Sequence, residues 1–395
     1  MVKMVKLLPV KIPDNEFMEK IGFTWHTDPD NTPYIADEIV QITPQEADAY
    51  YEAVNELYDM CVEAGEYIIN NNMLHEIGIP FNLIDAVKLS WENDVHWHLY
   101  GRFDLAGGID GKPIKLLEFN ADTPTALFET SILQWAILKA NGMDEESQFN
   151  NVYEAITTNF KRLVTLSESV DEFDRYYEGW KILFSSVRDN EEEKSTVKLL
   201  QTMANDAGFI TEYAPIDEVE FSEDGIFYKD IEYEYWFKLI PWEDIAIEEG
   251  ELARLLTKII ENQKAIILNP AYTLMFQSKA FMKVLWDLYP NHPLLLETSF
   301  EPLKGKAQVE KKIFGREGEN TIIVDENRKI IAQKDGIYGE FPSIFQEYVE
   351  LPKDSKGNYY QAGVFFAYEG CGVGFRRGGM ILDNYSKFVG HIVKE

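Results

Sequence analysis

Apolar residues recur every three or four positions in the segment ITPQEADAYYEAVNELYDMCVEAGEYII, residues 42–69. The repeating positions are Ala47, Tyr51, Val54, Leu57 and Cys61. This spacing places one apolar stripe along an α-helix. Thr43 is a suitable N-cap, Pro44 suits the first helical position, and Glu46 falls where a capping box needs an acid. The pattern therefore predicts a long amphipathic helix that begins at residue 44.

The pattern changes to two strands in HLYGRFDLAGGIDGKPIKLLEFNADTPT, residues 98–125. Asp110-Gly111 is a pair that favours a tight hairpin turn. Folding about this turn brings Asp104 opposite residue 117 or 118, because Gly107 and Gly108 add a bulge of uncertain register. A long helical pattern follows, from about residue 127 to residue 169.

A βαβ-like order follows the predicted helix. ILFSSV (182–187) is a compact apolar strand, TVKLLQTMANDAG (196–208) is helical, and GFITEYAP (208–215) is a second strand. This order of elements is typical of a small Rossmann-like subdomain.

The last 120 residues or so contain short strands separated by Gly, Asn and Asp. The strands are QVEKKIF, TIIVDE, KIIAQ, IFQEYVEL, YYQAGVFFAYE and GVGFRR. They predict an antiparallel sheet, so the whole chain is expected to be an α/β (α+β) protein. We divide it into a helical part with the hairpin (1–177), a Rossmann-like subdomain (178–265) and a final part (266–395), packed as one unit.

The charge of the chain is strongly acidic, with 37 basic and 68 acidic residues among 395. This balance argues against binding nucleic acid through a broad basic face, and against anionic membrane surfaces. The two cysteines are far apart and lack metal-ligand spacing, and no segment has the length of a signal peptide or membrane span. We expect a cytoplasmic protein without disulfides, whose oligomeric state the sequence leaves open.

The hairpin brings a cluster of polar side chains to one face. Residues two apart on a strand share a face, so Arg102 and Asp104 point the same way, as do Glu118 and Asn120. Hard oxygen ligands on a rigid sheet suit Mg²⁺. An ordinary solvated hairpin face and a glycosidase carboxylate pair fit the same residues, and the hairpin alone does not decide among the three.

A glycine-containing loop connects two strands in VEKKIFGREGENTIIVDE, residues 309–326. Its outline is similar to the loop that covers phosphates in kinases, although a flexible loop with solvated lysines is an equal alternative. Lys311 and Lys312 face opposite sides of their strand, so one of them is expected to meet a nucleotide. FQEYVELP (345–352) offers backbone groups to a base edge.

Two further segments carry charge. The arginines of GCGVGFRRGG (370–379) suggest an anion-binding corner or a charged surface turn. Residues 191–193 are consecutive glutamates that suit an amine, a metal or simply the start of a helix. His96 and His98 have no third ligand nearby, and we expect them to be structural.

Six segments of the chain form a set that extends over nearly its whole length. They are SWENDVHWHLYGRFDLA, LLEFNADTPTALFET, WFKLIPWE, LWDLYPNHPLLL, KKIFGREGEN, and GFRRGG with NYSKF after it. Together they resemble the glutathionylspermidine synthase family, in its ATP-grasp synthetase part, and the related acid–amine ligases. The resemblance implies an ATP-grasp fold preceded by a Rossmann-like pre-ATP-grasp subdomain. It also implies ATP, two Mg²⁺ ions and an acyl-phosphate route from a carboxylate and an amine to an amide.

The resemblance also implies roles for individual residues. The implied Mg²⁺ ligands are Asp104, Glu118 and Asn120. The implied ATP contacts are Lys279, Lys311, Gly315, Arg316, Gly318, Asn320, Gln346, Glu347 and Val349. Arg102 and Arg376 are implied near the transferring phosphoryl group, and Thr123 and Thr125 near the acid substrate. The acidic character of the chain favours a polyamine-like amine, with Glu192 and Glu193 as candidate contacts.

Some positions depart from the family pattern. Asn269-Pro270 and Tyr272-Thr273 replace the usual Glu-Pro and Trp-Lys pairs, and Lys312 stands where Pro is common. From these departures we expect a substrate pair other than glutathione and spermidine, without the amidase activity of bifunctional members. Glutathionylspermidine synthesis itself, and a nucleotide-binding protein without turnover, are the alternatives.

Overall fold

The computed structural model describes residues 4–395 as helices and strands in a mixed arrangement, which confirms the predicted α/β class. The helices are α1 (Asn15–Lys20), α2 (Pro44–Asn70), α3 (Ile84–Trp91), α4 (Gln134–Ala140), α5 (Val152–Thr165), α6 (Phe173–Tyr176), α7 (Glu191–Ala207), α8 (Trp242–Glu248), α9 (Gly250–Glu261), α10 (Thr273–Gln277) and α11 (Phe281–Leu288). The strands are β1 (Leu7–Pro9), β2 (Glu38–Ile42), β3 (Gly101–Ala106), β4 (Lys115–Asn120), β5 (Lys181–Ser185), β6 (Ile210–Tyr213), β7 (Glu220–Ser222), β8 (Gly225–Tyr228), β9 (Ile231–Tyr233), β10 (Tyr235–Lys238), β11 (Ile266–Leu268), β12 (Thr298–Ser299), β13 (Gln308–Lys312), β14 (Thr321–Val324), β15 (Ile330–Lys334), β16 (Ser343–Glu347), β17 (Tyr359–Ala367), β18 (Glu369–Gly378), β19 (Lys387–Val389) and β20 (His391–Val393).

Helix α2 begins where the sequence predicts it. The Thr43 hydroxyl accepts a hydrogen bond from Glu46 N, and the Glu46 carboxylate accepts one from Thr43 N. This capping box satisfies two of the backbone donors that a helix start leaves free. Across residues 4–395 no helix, α2 included, combines the length and the apolar character needed to cross a membrane.

The predicted hairpin forms the edge of a five-stranded antiparallel sheet with the order β19-β18-β17-β3-β4. Asp104 pairs with Glu118 and Arg102 with Asn120, and the register shifts just after Asp104. Side chains alternate along a strand, so these four polar groups share one face. The rings of Phe103 and Phe119 stack on the other face, 3.8 Å apart. Burial of this apolar pair in the core therefore fixes which face stays polar.

The predicted βαβ order is present in a four-stranded parallel sheet with the order β11-β10-β5-β6. Strand β11 (Ile266–Leu268) lies just beyond the boundary predicted at residue 265. Helix α7 crosses over between β5 and β6 and begins at Glu191, with Asn190 as N-cap. The acidic run is therefore the first turn of a helix, where carboxylates meet the positive end of the dipole favourably.

The predicted single helix over residues 127–169 is wrong. The chain instead makes a π-helical turn (Glu129–Leu133), then α4, a loop, and α5. The Asn141 side chain donates to Lys11 O and accepts from Lys11 N, while Gly142 takes a φ of 62°. The N-terminal segment thereby ends α4, a contact that local periodicity cannot show.

Strands β12 to β16 form the C-terminal antiparallel sheet, with the order β12-β16-β13-β14-β15. The predicted strands of residues 359–378 are β17 and β18, which join the hairpin sheet instead. Two small sheets, β1-β2-β20 and β7-β8-β9, complete the described chain. One continuous cluster of buried apolar side chains includes residues of α2, β3, β10, α9, α11 and β17. The parts predicted from the sequence thus share one core.

Candidate functional site

A cavity of about 670 Å³ lies where the hairpin, the C-terminal sheet and the start of α7 meet. It collects most of the residues singled out in the sequence. Those that line it are Arg102, Asp104, Glu118, Asn120, Thr123, Thr125, Glu192, Lys279, Lys311, Gly315, Arg316, Gly318, Gln346, Glu347, Val349 and Arg376. Glu193 and Asn320 are not among the residues that line it.

The polar face of the hairpin forms one wall. Arg102 donates from Nε to Asp104 Oδ1 (2.7 Å) and from Nη2 to Asp104 Oδ2 (3.0 Å). Asn120 Nδ2 donates to the same Oδ2 at 3.1 Å. Burial raises the pKa of Asp104, and Arg102 opposes that rise. The charge of Arg102 and the hydrogen bonds from side chains on β3 and β4 therefore hold the Asp104 carboxylate in place.

Two lysines face the hairpin across the cavity. Lys279 Nζ lies 3.0 Å from Glu118 Oε2 and donates to Gly315 O at 2.6 Å. Lys311 Nζ donates to Gln346 Oε1 (2.9 Å) and Leu117 O (3.3 Å). Burial lowers the pKa of Lys311 to about 8. Although burial alone would raise the pKa of Glu118, Lys279 and Lys311 lower it to about 2.

The hairpin offers oxygen donors that suit Mg²⁺. The carboxylates of Asp104 and Glu118 stand on paired positions of adjacent strands, and Asn120 adds an amide next to Asp104. Hard oxygen donors of this kind fit Mg²⁺, which commonly takes one or two carboxylates beside substrate phosphates. No cluster of three His, Cys, Asp or Glu side chains within residues 4–395 forms a metal site. A metal at this hairpin would therefore need the Asn120 oxygen or a ligand from a substrate.

The glycine-containing loop of residues 315–320 lines the cavity with Arg316, among others. Its guanidinium donates from Nη1 to Thr123 Oγ1 (3.3 Å) and from Nη2 to Glu243, which is almost fully buried. Gly318 takes a φ of 68°, and a side chain there would meet the backbone oxygen of Leu382. The side chain of Asn320 instead accepts from Tyr338 N at 2.7 Å. Asn320 thus stabilises the loop by its hydrogen bond to Tyr338 and does not line the cavity.

The predicted base-binding strand is continuous with β16. Glu347 N donates to Glu297 O (2.7 Å) and Tyr348 N donates to Ala307 O (3.0 Å). These bonds fix the backbone of residues 347–348 at the edge of the cavity, beside Gln346 and Val349.

The loop that carries Thr123 and Thr125 is fixed by residues that the sequence patterns did not reveal. Asp122 is fully buried and accepts from Lys238 Nζ (2.9 Å) and Trp242 N (2.9 Å). Asn269 Nδ2 donates to Asp122 O at 2.8 Å. These partners come from the Rossmann-like sheet and the segment after it, so only the folded chain brings them together.

The departures at residues 269–273 lie in the core, away from the cavity. The Asn269 side chain is fully buried and bonds the backbone of residues 99, 100, 121 and 122. Tyr272 packs edge-on against Trp91, with ring centroids 5.3 Å apart. Neither residue lines the cavity, so an effect of Asn269 on the substrate would pass through the loop that it bonds at Asp122 O.

The far wall of the cavity comes from the N-terminal segment TWHTDPDNTPY (24–34), to which the sequence patterns gave no role. Trp25 and Tyr34 line the cavity beside Arg376. This loop is rich in Asp, Pro and aromatic residues and lacks the periodicity of a helix or strand. Its aromatic residues were the one feature of the sequence that indicated burial. Glu192 borders the same wall, where desolvation and the nearby Glu129 raise its pKa.

Comparison with known proteins gives a consistent result. The family model described as glutathionylspermidine synthase preATP-grasp matches residues 6–394. A protein of Haemophilus influenzae named as an acid–amine ligase is 28% identical over 390 residues, which are 94% of each chain. The bifunctional glutathionylspermidine synthetase/amidase of Escherichia coli is 24% identical over 363 residues, which are 84% of this chain and 55% of that protein.

A solved structure extends the comparison to the fold. The glutathione synthetase-like effector of Globodera pallida, in its apo form, matches with a TM-score of 0.57 over 97% of this chain and 98% of the other. The sequences are only 8% identical, so this likeness concerns the fold alone.

Proposed function

The chain belongs to the glutathionylspermidine synthase preATP-grasp family, and we propose that it is an ATP- and Mg²⁺-dependent ligase that joins a carboxylate to an amine. In this proposal the sheets that carry Lys311 and the hairpin are the two halves of an ATP-grasp nucleotide site. The cytoplasm is the proposed compartment.

One observation supports the proposal above all. Lys279 and Lys311 lie beside Asp104 and Glu118 in a single cavity, which Gly315 and Arg316 also line. Opposed cations and carboxylates are what a bound polyphosphate and its metal require: the lysines meet the phosphates and the carboxylates meet the metal. An exposed hairpin face or a glycosidase carboxylate pair would not need this set of lysines.

The proposed reaction has two steps. An oxygen of the substrate carboxylate attacks the γ-phosphorus of ATP, the bond to ADP breaks, and an acyl phosphate forms. The amine nitrogen then attacks the acyl carbon, inorganic phosphate leaves, and the nitrogen loses a proton as the amide forms. No protein nucleophile is required, so positioning and charge stabilisation supply the rate.

The residues of the chain have separate tasks in these steps. Lys279 and Lys311 bind phosphate oxygens, and Arg376 stabilises the charge on the phosphoryl group as it moves. Arg102 orients Asp104 by its two hydrogen bonds. Mg²⁺, held by the hairpin oxygens, would supply further neutralisation of phosphate charge.

Thr123 and Thr125 are the proposed contacts of the acid substrate, and Glu192 of the amine. Glutathione and spermidine are the first pair to test, because a relative named for that synthesis matches 84% of the chain. The departures from the family pattern, among which Lys312 lines the cavity, favour a different pair, so other acids and amines are tested beside these two.

The test is Mg²⁺-dependent release of ADP with pooled peptide thiols, amino acids and polyamines. We expect release by the wild type and its loss in Glu118→Gln. Glu326→Gln, in an exposed turn, is the matched control and should behave as the wild type. Release that persists in folded Glu118→Gln would refute the assigned site. Tight ATP binding without release under any pool would instead favour a nucleotide-binding protein without turnover.

A further inference from the structure

Arg376 lies on β18 and reaches the far wall of the cavity. Its Nη1 donates to the Tyr34 hydroxyl at 3.2 Å, and its Nη2 donates to Asp383 O at 2.9 Å. The guanidinium carbon lies 5.6 Å from the centre of the Tyr34 ring. The orientation of Arg376 therefore depends on one backbone oxygen and one tyrosine.

Tyr34 is itself held by Glu129. The Tyr34 hydroxyl donates to Glu129 Oε1 at 2.9 Å, and Trp25 Nε1 donates to the same oxygen at 3.2 Å. Glu129 is 1% exposed. An arginine only donates hydrogen bonds, so Arg376 occupies a lone pair of the Tyr34 oxygen and the hydroxyl proton points at Glu129.

The surrounding structure fixes this chain of contacts. Tyr34 N donates to His26 O (3.0 Å), and Phe388 N, on β19, donates to Tyr34 O (3.1 Å). The Tyr34 ring stacks on Phe23, with centroids 6.2 Å apart. Burial raises the pKa of Tyr34 well above its usual range, which favours the protonated hydroxyl as the donor to Glu129.

We propose that Tyr34 and Glu129 are positioning residues that set the orientation of Arg376 toward the transferring phosphoryl group. This inference rests on the proposed function, because that function gives Arg376 its role. The contacts that hold Arg376 can be tested without turnover. Tyr34 lines the cavity and Glu129 raises the pKa of Glu192, so the test must separate an effect through Arg376 from a direct effect on substrate.

The chain offers a matched control for the loss of a tyrosine hydroxyl. Tyr360 is fully buried, donates to Asp354 Oδ2 at 3.0 Å, and pairs in register with Arg377. It does not line the cavity. Tyr360→Phe therefore removes the same kind of hydrogen bond, to a buried carboxylate, beside an arginine with no proposed role.

The first measurement is steady-state ADP release. Tyr34→Phe should lower kcat about tenfold and change the KM for ATP less than about twofold, since small displacements of a charge-stabilising group reduce rate more than binding. Tyr360→Phe should leave both unchanged. In an Arg376→Lys background, adding Tyr34→Phe should cause little further loss. Equal losses in both backgrounds, or an unchanged kcat in folded Tyr34→Phe, would overturn the proposal.

The second measurement does not require activity. The rate at which phenylglyoxal modifies Arg376, resolved from Arg377 by mass spectrometry, reports how firmly the guanidinium is held. We expect faster modification in Tyr34→Phe than in the wild type or Tyr360→Phe. Equal rates in all three proteins would refute the positioning role even if the wild type shows no turnover. Absence of turnover together with faster labelling in Tyr34→Phe would refute the proposed function and leave the positioning role supported.

Discussion

Lys311 provides the sharpest test of the nucleotide site. Its two hydrogen bonds go to neutral oxygens, Gln346 Oε1 at 2.9 Å and Leu117 O at 3.3 Å, whereas Glu118 is already paired with Lys279 at 3.0 Å. An ammonium group has three donors, so Lys311 retains one for a phosphate. A charge-assisted hydrogen bond of this kind contributes roughly 1.5–3 kcal/mol. Lys311→Met, which keeps the apolar stem, should therefore weaken ATP binding roughly tenfold to hundredfold.

The pH dependence of binding follows from the same residue. Burial lowers the pKa of Lys311 to about 8, and a bound phosphate would raise it again by favouring the charged form. Below pH 8 the lysine is already charged, and ATP affinity should be constant. Above pH 8 binding must take up a proton, so the Kd for ATP should rise by up to about tenfold per pH unit. Lys311→Met should lose this dependence.

Isothermal titration of ATP with Mg²⁺, in two buffers of different ionisation enthalpy, measures both the affinity and the proton uptake. Lys353→Met is the control, since Lys353 is a half-buried lysine that pairs with Glu350 at 2.6 Å and does not line the cavity. An unchanged Kd in folded Lys311→Met would refute the assigned role of the lysine. Proton uptake that persists in this variant would show that another group titrates.

Three further predictions concern the supports of the cavity. Lys238→Met should lower the free energy of unfolding by about 3–5 kcal/mol, because it leaves the fully buried Asp122 without its ion-pair partner at 2.9 Å. Urea denaturation measures this loss, and a loss below about 1 kcal/mol would contradict the prediction. Gly318→Ala should raise the KM for ATP, since Gly318 has a φ of 68°. Gly379→Ala should not, because a Cβ there makes only an ordinary contact with Ile381 O at 3.7 Å. Equal effects would argue against the loop geometry. The KM for the amine should rise as pH falls below 7, because desolvation raises the pKa of Glu192 to about 7 and protonation removes its charge. The same pH profile in Glu192→Gln would show that this carboxylate does not bind the amine.

The sequence patterns located the β3–β4 hairpin more accurately than the helices around it. Pairing of Asp104 with Glu118 lay within the predicted register, because a turn pair and a two-residue alternation restrict a hairpin to few arrangements. The helix over residues 127–169 was wrong because Asn141 bonds Lys11, which is 130 residues away in the chain. The roles of Glu193 and Asn320 as ligand contacts stay predictions, and the cavity lining lends them no support.

The sequence by itself determined the start of α2 and the polar face of the hairpin, since capping and alternation act between residues near one another. Only the tertiary structure decided what surrounds that face. Lys279 lies more than 150 residues from Glu118 in the chain, yet its Nζ is 3.0 Å away, and Tyr34 meets Arg376 from the opposite end of the sequence. Such contacts arise when buried apolar surfaces pack the sheets together, because the packing brings distant polar groups to one cavity. Patterns among neighbouring residues do not show contacts between residues so far apart in the chain. The cavity wall formed by Trp25 and Tyr34 was therefore found only in the folded structure.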